Sequence, residues 1–311
     1  MAVISLSKNF QSFFGRLNPG STFEQTASSQ HNSVRGLIED RNGSAAELAP
    51  ITFLQGSYRQ QTAIYSINDV DIIVLCNLSY PGTPGVGKSY GRDEIFRIIA
   101  APLLGDQRYK SKVRYGPQSM CIKLDLEIKM EILPVVFKVG ITDPQEEPFV
   151  LYRPEKGAWE DGFARYHQAW LSFKNGPGRT QGNFIPAIKV FKHLRSLFNK
   201  RSVSFHIECL LYSLPDTIFL GGPSDYLAAI FRTIAGQKPE DWYRSQCMTP
   251  CGDRDIFAAS EWSAQDWWDF HTLVSQCSKM AQDAVATNNE ARAIADWQAI
   301  LGADFFPATV S

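Results

Sequence analysis

Two short segments carry the residues that are best suited to phosphate and metal chemistry. Gly56-Ser57 directly follows Ile51 to Gln55, a segment that is typical of a β-strand. Glycine lets backbone amides approach an anion because no Cβ stands in the way. The Ser57 hydroxyl and the neighbouring N–H groups could bind a triphosphate there, with Gln55 and Tyr58 on either side of the turn.

Asp69 and Asp71 begin the second segment, an apolar and β-branched run to Cys76 that also predicts a strand. Side chains alternate between the faces of a strand, so both carboxylates are expected to point the same way. Two carboxylates side by side repel each other, and a divalent cation relieves that repulsion. Magnesium prefers oxygen ligands of this kind, so the pattern predicts a metal site.

A site of this kind usually needs a further carboxylate from another strand. Asp125, Glu127 and Glu131 are the candidates. They would share one face of an unbroken strand, so periodicity alone does not choose among them. Glu131 lies on the more apolar segment, where an acid needs a partner.

The elements that must position these residues divide the chain into a mixed half and a helical half. Helical spacing is seen in residues 1–48, and a Gly/Pro-rich loop at 79–91 precedes a helix from Arg92 to Leu104. Residues 144–154, which are polar and contain prolines, predict a crossover at the boundary. The expected fold is α+β, with a mixed-sheet core at 1–160 that includes the N-terminal helices and a helical lobe at 161–311. Further strands and helices are predicted at 112–115, 119–126, 128–139, 163–173, 184–198, 205–214, 223–234, 264–288 and 290–301.

Composition and charge narrow the class of protein. The chain has 311 residues and a formal net charge of −1, without the basic excess that long nucleic acids require. The spacing of Cys247 and Cys251 does not favour a zinc site, and buried thiols at Cys76 and Cys121 fit a reducing compartment. No segment has the length of a membrane span and no leader pattern is visible at the start, so a cytoplasmic protein is expected.

At these residues the chain resembles the DNA polymerase β-like nucleotidyltransferases. Within them it is similar to the CD-NTases, the bacterial relatives of cyclic GMP–AMP synthase that make cyclic oligonucleotide signals. These enzymes have a Gly-Ser turn, an Asp-x-Asp strand and a third acid three residues before a proline. That resemblance selects Glu131, which precedes Pro134, although the family more often has aspartate there.

The resemblance continues in the helical half. Lys189-Val190-Phe191-Lys192 and the later Ser204-Phe205 are similar to the lysine helix and the Ser-aromatic segment of the family. It implies that Lys192 and Ser204 hold triphosphate oxygens, with Lys189 nearby, and that Phe205 stacks on a base. Without it, the lysines would be interpreted as a solvated helix face and Ser204 as a helix N-cap.

The resemblance implies an enzyme that uses two Mg²⁺ or Mn²⁺ ions and takes ATP and other NTPs as substrates. A nucleotide cleft is expected between the two lobes. The products would be cyclic di- or trinucleotides that act as second messengers in antiphage defence. Regulatory or effector proteins of a defence operon are expected partners, and a DNA activator is not. Two alternatives remain open: transfer of a nucleotide to an RNA, protein or small-molecule acceptor, and a catalytically silent nucleotide-binding regulator.

A competing motif lies at Gly82 to Ser89, which matches the Walker A pattern. A P-loop needs a buried strand that runs straight into the loop, whereas the apolar strand is predicted to end near Cys76. No further β-α units follow to build the parallel sheet of such ATPases. The segment is therefore interpreted as a mobile loop, and a P-loop ATPase is the less favoured alternative.

Overall fold

The computed structural model describes residues 5–80, 90–198, 202–258 and 261–310. Two compact units interleave along the chain. The sheet unit comprises Gly20–Gln61 and Ser66–Gln168, and the helical unit comprises Met1–Pro19, Thr62–Tyr65 and Ala169–Ser311. The Walker A-like segment lies outside the described residues.

The described residues form eleven α-helices and seven β-strands, together with short 3₁₀ turns at Ala46–Leu48 and Asp216–Phe219. The elements are α1 (Ser7–Leu17), α2 (Ser21–Ile38), β1 (Ile51–Gln55), α3 (Gly56–Arg59), β2 (Asp69–Tyr80), α4 (Arg92–Gly105), β3 (Val113–Arg114), β4 (Ile122–Leu124), β5 (Lys129–Lys138), β6 (Phe149–Arg153), β7 (Ala158–Gly162), α5 (Ala164–Lys174), α6 (Phe184–Phe198), α7 (Ser204–Ser213), α8 (Pro223–Ala235), α9 (Pro239–Arg244), α10 (Ala264–Ala286) and α11 (Glu290–Leu301).

The strands form one mixed sheet in the order β1-β2-β5-β4-β3, and β6 pairs with both β5 and β7. The pairing of β2 with β5 is parallel and the other pairings are antiparallel. The parallel pair brings together segments that are about 60 residues apart in the chain, which requires the long connection through α4.

Alternation along the central strands gives the sheet two different faces. Val70, Ile72 and Val74 are fully buried and form a core with residues of α2 and α4. Ile73 and Leu133, on the opposite face, belong to a smaller apolar cluster. Asp69 and Asp71 share the second face, at the end where β2 begins. The cores thus fix which way the two carboxylates point.

The helical unit has its own aromatic core. Phe10 and Phe13 of α1 are fully buried in it, together with Trp267 and Trp297. α1 therefore packs with the C-terminal helices, although the sequence pattern groups it with the first half of the chain. The ranges 1–160 and 161–311 stay predictions as domain boundaries.

The predicted α+β class is confirmed, with two differences in the sheet unit. Residues 144–154 are not a plain crossover, because Phe149 to Arg153 form β6 and β7 follows. Pro148 does not interrupt pairing, since it precedes the first strand residue, and Phe149, Val150 and Leu151 are buried. β2 also extends past Cys76 to Tyr80, so the predicted early end of that strand is wrong. The sheet is nevertheless mostly antiparallel, unlike that of a P-loop ATPase.

Cys76 and Cys121 are buried thiols, as predicted. Within the described ranges, none of the helices combines the length and the apolar character that a membrane crossing requires.

Candidate active site

The Gly56-Ser57 turn lies directly at the end of β1, where the chain enters α3. Gly56 has φ +69°, a left-handed conformation that favours glycine. A Cβ built on Gly56 would lie 1.9 Å from Asp71 Oδ2. The glycine thus allows the turn and the carboxylate to occupy adjacent space, which no side chain at this position would permit.

The Asp-x-Asp pair lies on the neighbouring strand, where Gln55 is directly opposite Asp71. Asp69 and Asp71 are half-buried, whereas Val70 between them is fully buried on the other face. Burial raises the pKa of Asp69, and the negative charge of Glu131 raises it further. Burial and the charge of Glu131 therefore both disfavour the ionised form of Asp69, and a nearby cation would favour it.

Among the three candidate acids, Glu131 alone stands beside the pair. In the parallel ladder of β2 and β5, Asp71 is opposite Glu131. Asp125 is exposed and lies 3.8 Å from the Arg114 guanidinium, and Glu127 is exposed in the connection between β4 and β5. The register therefore places Glu131 opposite Asp71, and its role as a metal ligand stays a prediction.

The Glu131 carboxylate has a cationic partner on the next strand. Lys123 is opposite Glu131 in the β4–β5 ladder, and its Nζ lies 2.8 Å from Glu131 Oε1. In the described part of the chain, no three His, Cys, Asp or Glu side chains converge as a ready metal cluster. The donors fit a divalent cation in chemical type and in the face that they share, and Glu131 has a second carboxylate oxygen besides the one that contacts Lys123.

Lys123 is a residue of this site that the sequence reasoning missed. A signal was present, because Lys123 and Glu131 are equally far from Glu127. A hairpin that turns at Glu127 would pair them directly, and opposite charges are favoured at such cross-strand positions.

Tyr58 packs inside the sheet unit. Its ring centroid lies 6.1 Å from that of Phe23 and 5.9 Å from that of His31, both on α2. Burial raises the pKa of the Tyr58 hydroxyl. Its side chain thus anchors the turn to α2, and contact with a nucleotide stays a prediction.

The predicted phosphate ligands Lys189, Lys192, Ser204 and Phe205 belong to the helical unit. Lys192 is only 4% exposed, so the alternative of a solvated helix face is wrong for this residue. Its Nζ lies 2.5 Å from Glu208 Oε1 and donates to Thr62 Oγ1 at 2.8 Å. Thr62 Oγ1 in turn donates to Glu208 Oε1 at 2.8 Å. These contacts tie the Thr62–Tyr65 segment to α6 and α7 within that unit.

The other three residues are more accessible. Lys189 Nζ donates to Asn18 Oδ1 at 2.7 Å. Ser204 is the first residue of α7 and Val203 holds the N-cap position, so the N-cap alternative for Ser204 is wrong. Phe205 is half-buried, with the Arg254 guanidinium carbon 5.1 Å from its ring centroid. Their contacts with a nucleotide stay predictions.

Lys192→Met is expected to lower the free energy of unfolding by about 3–5 kcal/mol, because it removes the ammonium that lies 2.5 Å from the buried Glu208 carboxylate. The double variant Lys192→Met/Glu208→Gln is expected to lose less, since glutamine keeps an oxygen for the Thr62 hydroxyl. Urea denaturation of the purified variants measures both. Lys189→Met, one helical turn away and less buried, is the matched control, with an expected loss of about 1 kcal/mol or less. Equal stability of Lys192→Met and the wild type would contradict this role.

The strand, Gly-Ser turn, Asp-x-Asp strand and adjacent parallel strand with an acid together define a nucleotidyltransferase. Comparison with known families agrees. Residues 4–175 match the Second Messenger Oligonucleotide or Dinucleotide Synthetase domain, and residues 172–281 match the cGAS/DncV-like nucleotidyltransferase C-terminal helical domain. The chain therefore belongs to the cGAS/DncV-like nucleotidyltransferases, the CD-NTase family.

Individual relatives are distant but extend over most of the chain. The cyclic UMP-AMP synthase of Rhodothermus marinus is 25% identical over 271 residues, which cover 77% of this chain and 88% of that protein. The cyclic AMP-AMP-AMP synthase of an Acinetobacter species is 23% identical and covers 99% of this chain and 88% of its own. The solved structure of E. coli CdnC with ATP has a TM-score of 0.73 at 13% identity, covers 98% and 99% of the two chains, and shows that the fold is shared.

Proposed function

We propose that the protein joins nucleoside triphosphates into a cyclic di- or trinucleotide by metal-assisted nucleotidyl transfer. The observation that carries the proposal is the alignment of Asp71 opposite Glu131, with the Gly56 backbone against the Asp71 carboxylate. Membership of a family of oligonucleotide synthetases supports the reaction type.

The acidic face is the proposed cation site. Asp69 and Asp71 would hold Mg²⁺ or Mn²⁺, with Glu131 completing the site. Divalent ions bound there would neutralise the triphosphate and lower the pKa of the attacking ribose hydroxyl. Carboxylate oxygens, a shared face and the electrostatic strain on Asp69 are the features of this chain that fit such ions.

The reaction forms one bond and breaks another at the α-phosphorus of the donor. The acceptor ribose oxygen attacks in line and loses its proton, and pyrophosphate leaves with the electron pair of the broken bond. Gly56-Ser57 would bind the leaving phosphates at the side of Asp71, and we propose Lys192 and Ser204 as further phosphate ligands. Holding these groups in place lowers the barrier mainly through positioning and charge neutralisation. The last transfer, which is the second for a dinucleotide and the third for a trinucleotide, would join the two ends of the linear product and release a further pyrophosphate.

Incubation with all four α-labelled NTPs and Mg²⁺ or Mn²⁺ tests the proposal. The expected result is a small product that resists phosphatase and whose mass matches a cyclic di- or trinucleotide. Transfer that depends on an added RNA, protein or small molecule would replace this proposal with the acceptor-transferase alternative. Nucleotide binding without turnover would identify a silent regulator. The same mass measurement would identify the bases and the ring size.

The role in antiphage defence and a regulatory or effector partner stay predictions of the family resemblance. The relatives whose names specify a product make UMP-AMP, AMP-AMP-AMP and AMP-AMP-GMP rings. Because these products differ among distant relatives, we extend only the product class to this chain.

A further inference from the structure

A continuous row of polar residues crosses the sheet on the face that carries the acids. Successive members are directly opposite one another on neighbouring strands: Gln55 on β1, Asp71 on β2, Glu131 on β5, Lys123 on β4 and Arg114 on β3. Paired residues share a face, so the row is continuous at about 4.8 Å per strand. Arg114 thus stands on the order of 10 Å from Glu131.

The charge changes sign along this row. The acids occupy the two central strands, and the two cations occupy the strands on the side away from the Gly56-Ser57 turn. The Lys123 side chain is 59% exposed and that of Arg114 is 61% exposed, so both can be reached by a dissolved anion. Along the row from β1 towards β3, the acids are therefore followed by two accessible cations.

Local bonds hold both cations in place. Lys123 Nζ lies 2.8 Å from Glu131 Oε1, so this carboxylate orients the ammonium. Arg114 Nη1 donates to the carbonyl oxygens of Ser111 at 2.8 Å and Val113 at 3.0 Å. Its Nε lies 3.8 Å from Asp125 Oδ2, which is exposed. Carbonyl groups of the segment 111–113, just before Arg114 in the chain, thereby orient the guanidinium.

The geometry of in-line transfer indicates which substrate would lie beside Lys123 and Arg114. The proposed donor has its leaving phosphates at Gly56-Ser57, so the attacking hydroxyl must come from the opposite side of the α-phosphorus. Across the sheet, that side is the one with Lys123 and Arg114. An enzyme that joins NTPs uses an acceptor that carries a triphosphate of its own, and those phosphates require cations.

We infer that Lys123, assisted by Arg114, binds the phosphates of the acceptor nucleotide. This inference rests on the proposed function and deepens it by assigning the second substrate subsite. A divalent ion on Glu131 would take over the neutralisation of that carboxylate, which releases the Lys123 ammonium for the acceptor. Lys123 thus serves Glu131 and the acceptor in turn.

The test uses a donor that cannot accept and acceptors that cannot donate. A 2′,3′-dideoxynucleoside triphosphate is the donor, and a nucleoside, its monophosphate and its α,β-methylene triphosphate are compared as acceptors. The wild type is expected to favour the triphosphate acceptor. Lys123→Gln is expected to lower kcat/KM for that acceptor roughly tenfold and for the nucleoside less than about twofold, as the loss of one partly exposed charge-assisted contact predicts. Lys123→Arg should retain most of the preference, and Arg114→Gln should weaken it further in combination with Lys123→Gln.

The matched control is Lys138→Gln. Lys138 is exposed like Lys123, but it lies at the end of β5 that is away from the acids. Its Nζ lies 2.6 Å from Oδ2 of Asp161 on β7. It should behave as the wild type with every acceptor. Binding is measured independently by titration with the α,β-methylene triphosphate, which is expected to fill a donor site and a weaker acceptor site. Lys123→Gln should weaken binding at the acceptor site roughly tenfold and leave the donor site unchanged.

Four outcomes would overturn the inference. An equal loss with all acceptors in Lys123→Gln would mean that Lys123 acts only by positioning Glu131. Equal use of nucleoside and triphosphate acceptors by the wild type, or unaltered binding at both sites, would remove the phosphate subsite. A wild-type protein that transfers nothing to any acceptor fails at the proposed function itself, and the subsite is then rejected together with it.

Discussion

Replacing both Asp69 and Asp71 with asparagine is expected to lower nucleotide transfer by a factor of about 10³ or more. Asparagine preserves size and shape but removes the charge that would hold divalent ions, whose stabilisation of the transition state amounts to several kcal/mol. The rate of labelled product formation at saturating Mg²⁺ measures the loss. Each single variant should lose most of the activity, because the two carboxylates act on one site.

The folded state should not be weakened by Asp69→Asn alone. Burial and the nearby negative charge of Glu131 raise the pKa of Asp69, so both disfavour its ionised form. A neutral amide avoids that cost, and the temperature of unfolding of this single variant is expected to stay the same or rise. Asp161→Asn, on β7 and paired with Lys138, is the control and should keep full activity. Full turnover by the double variant would show that the metal site has been wrongly assigned.

The local part of the site could be predicted from the sequence because it depends on the period of a single strand. The spacing of Asp69 and Asp71, with Val70 between them, places both acids on one face wherever the strand packs. The Gly-Ser turn was similarly visible because it follows a strand without a gap. Neither conclusion requires knowledge of a distant partner.

The choice of Glu131 could not be made in the same way. It depends on the register between β2 and β5, which are far apart in the chain, and a shift of one residue would turn every side chain to the other face. Buried cores on both faces set that register, and their packing is a property of the whole unit. Family resemblance selected Glu131 where periodicity could not.

Dependence on distant partners also explains why neither the burial of Lys192 nor the strand β6 could be predicted from the sequence. A lysine on an amphipathic helix is normally expected in solvent, and only Glu208 and Thr62, from other segments, make its burial tolerable. In β6, the proline before Phe149 suggested a loop, whereas pairing with β5 and β7 made the following residues a strand. Partners that are remote in sequence decided both cases.

Gly56→Ala is expected to lower activity by a factor of about 10² even though it adds a single methyl group. The methyl carbon would lie 1.9 Å from Asp71 Oδ2, far inside van der Waals contact, so the carboxylate or the turn must move. A displacement of this size in a group that holds metal and phosphate costs on the order of 10²-fold in rate. The positive φ of +69° adds a strain of about 1–2 kcal/mol, which should appear as a lower free energy of unfolding.

Gly157→Ala separates these two effects. Gly157 has φ +60° in the same unit, and nothing lies within 4 Å of a Cβ built on it. Alanine there should cause the same backbone strain without a collision. Both variants should therefore lose comparable stability in urea denaturation, while only Gly56→Ala should lose turnover. If the two variants kept the same kcat, contact between the turn and Asp71 would not matter for catalysis, and the close approach of Gly56 would serve the fold alone.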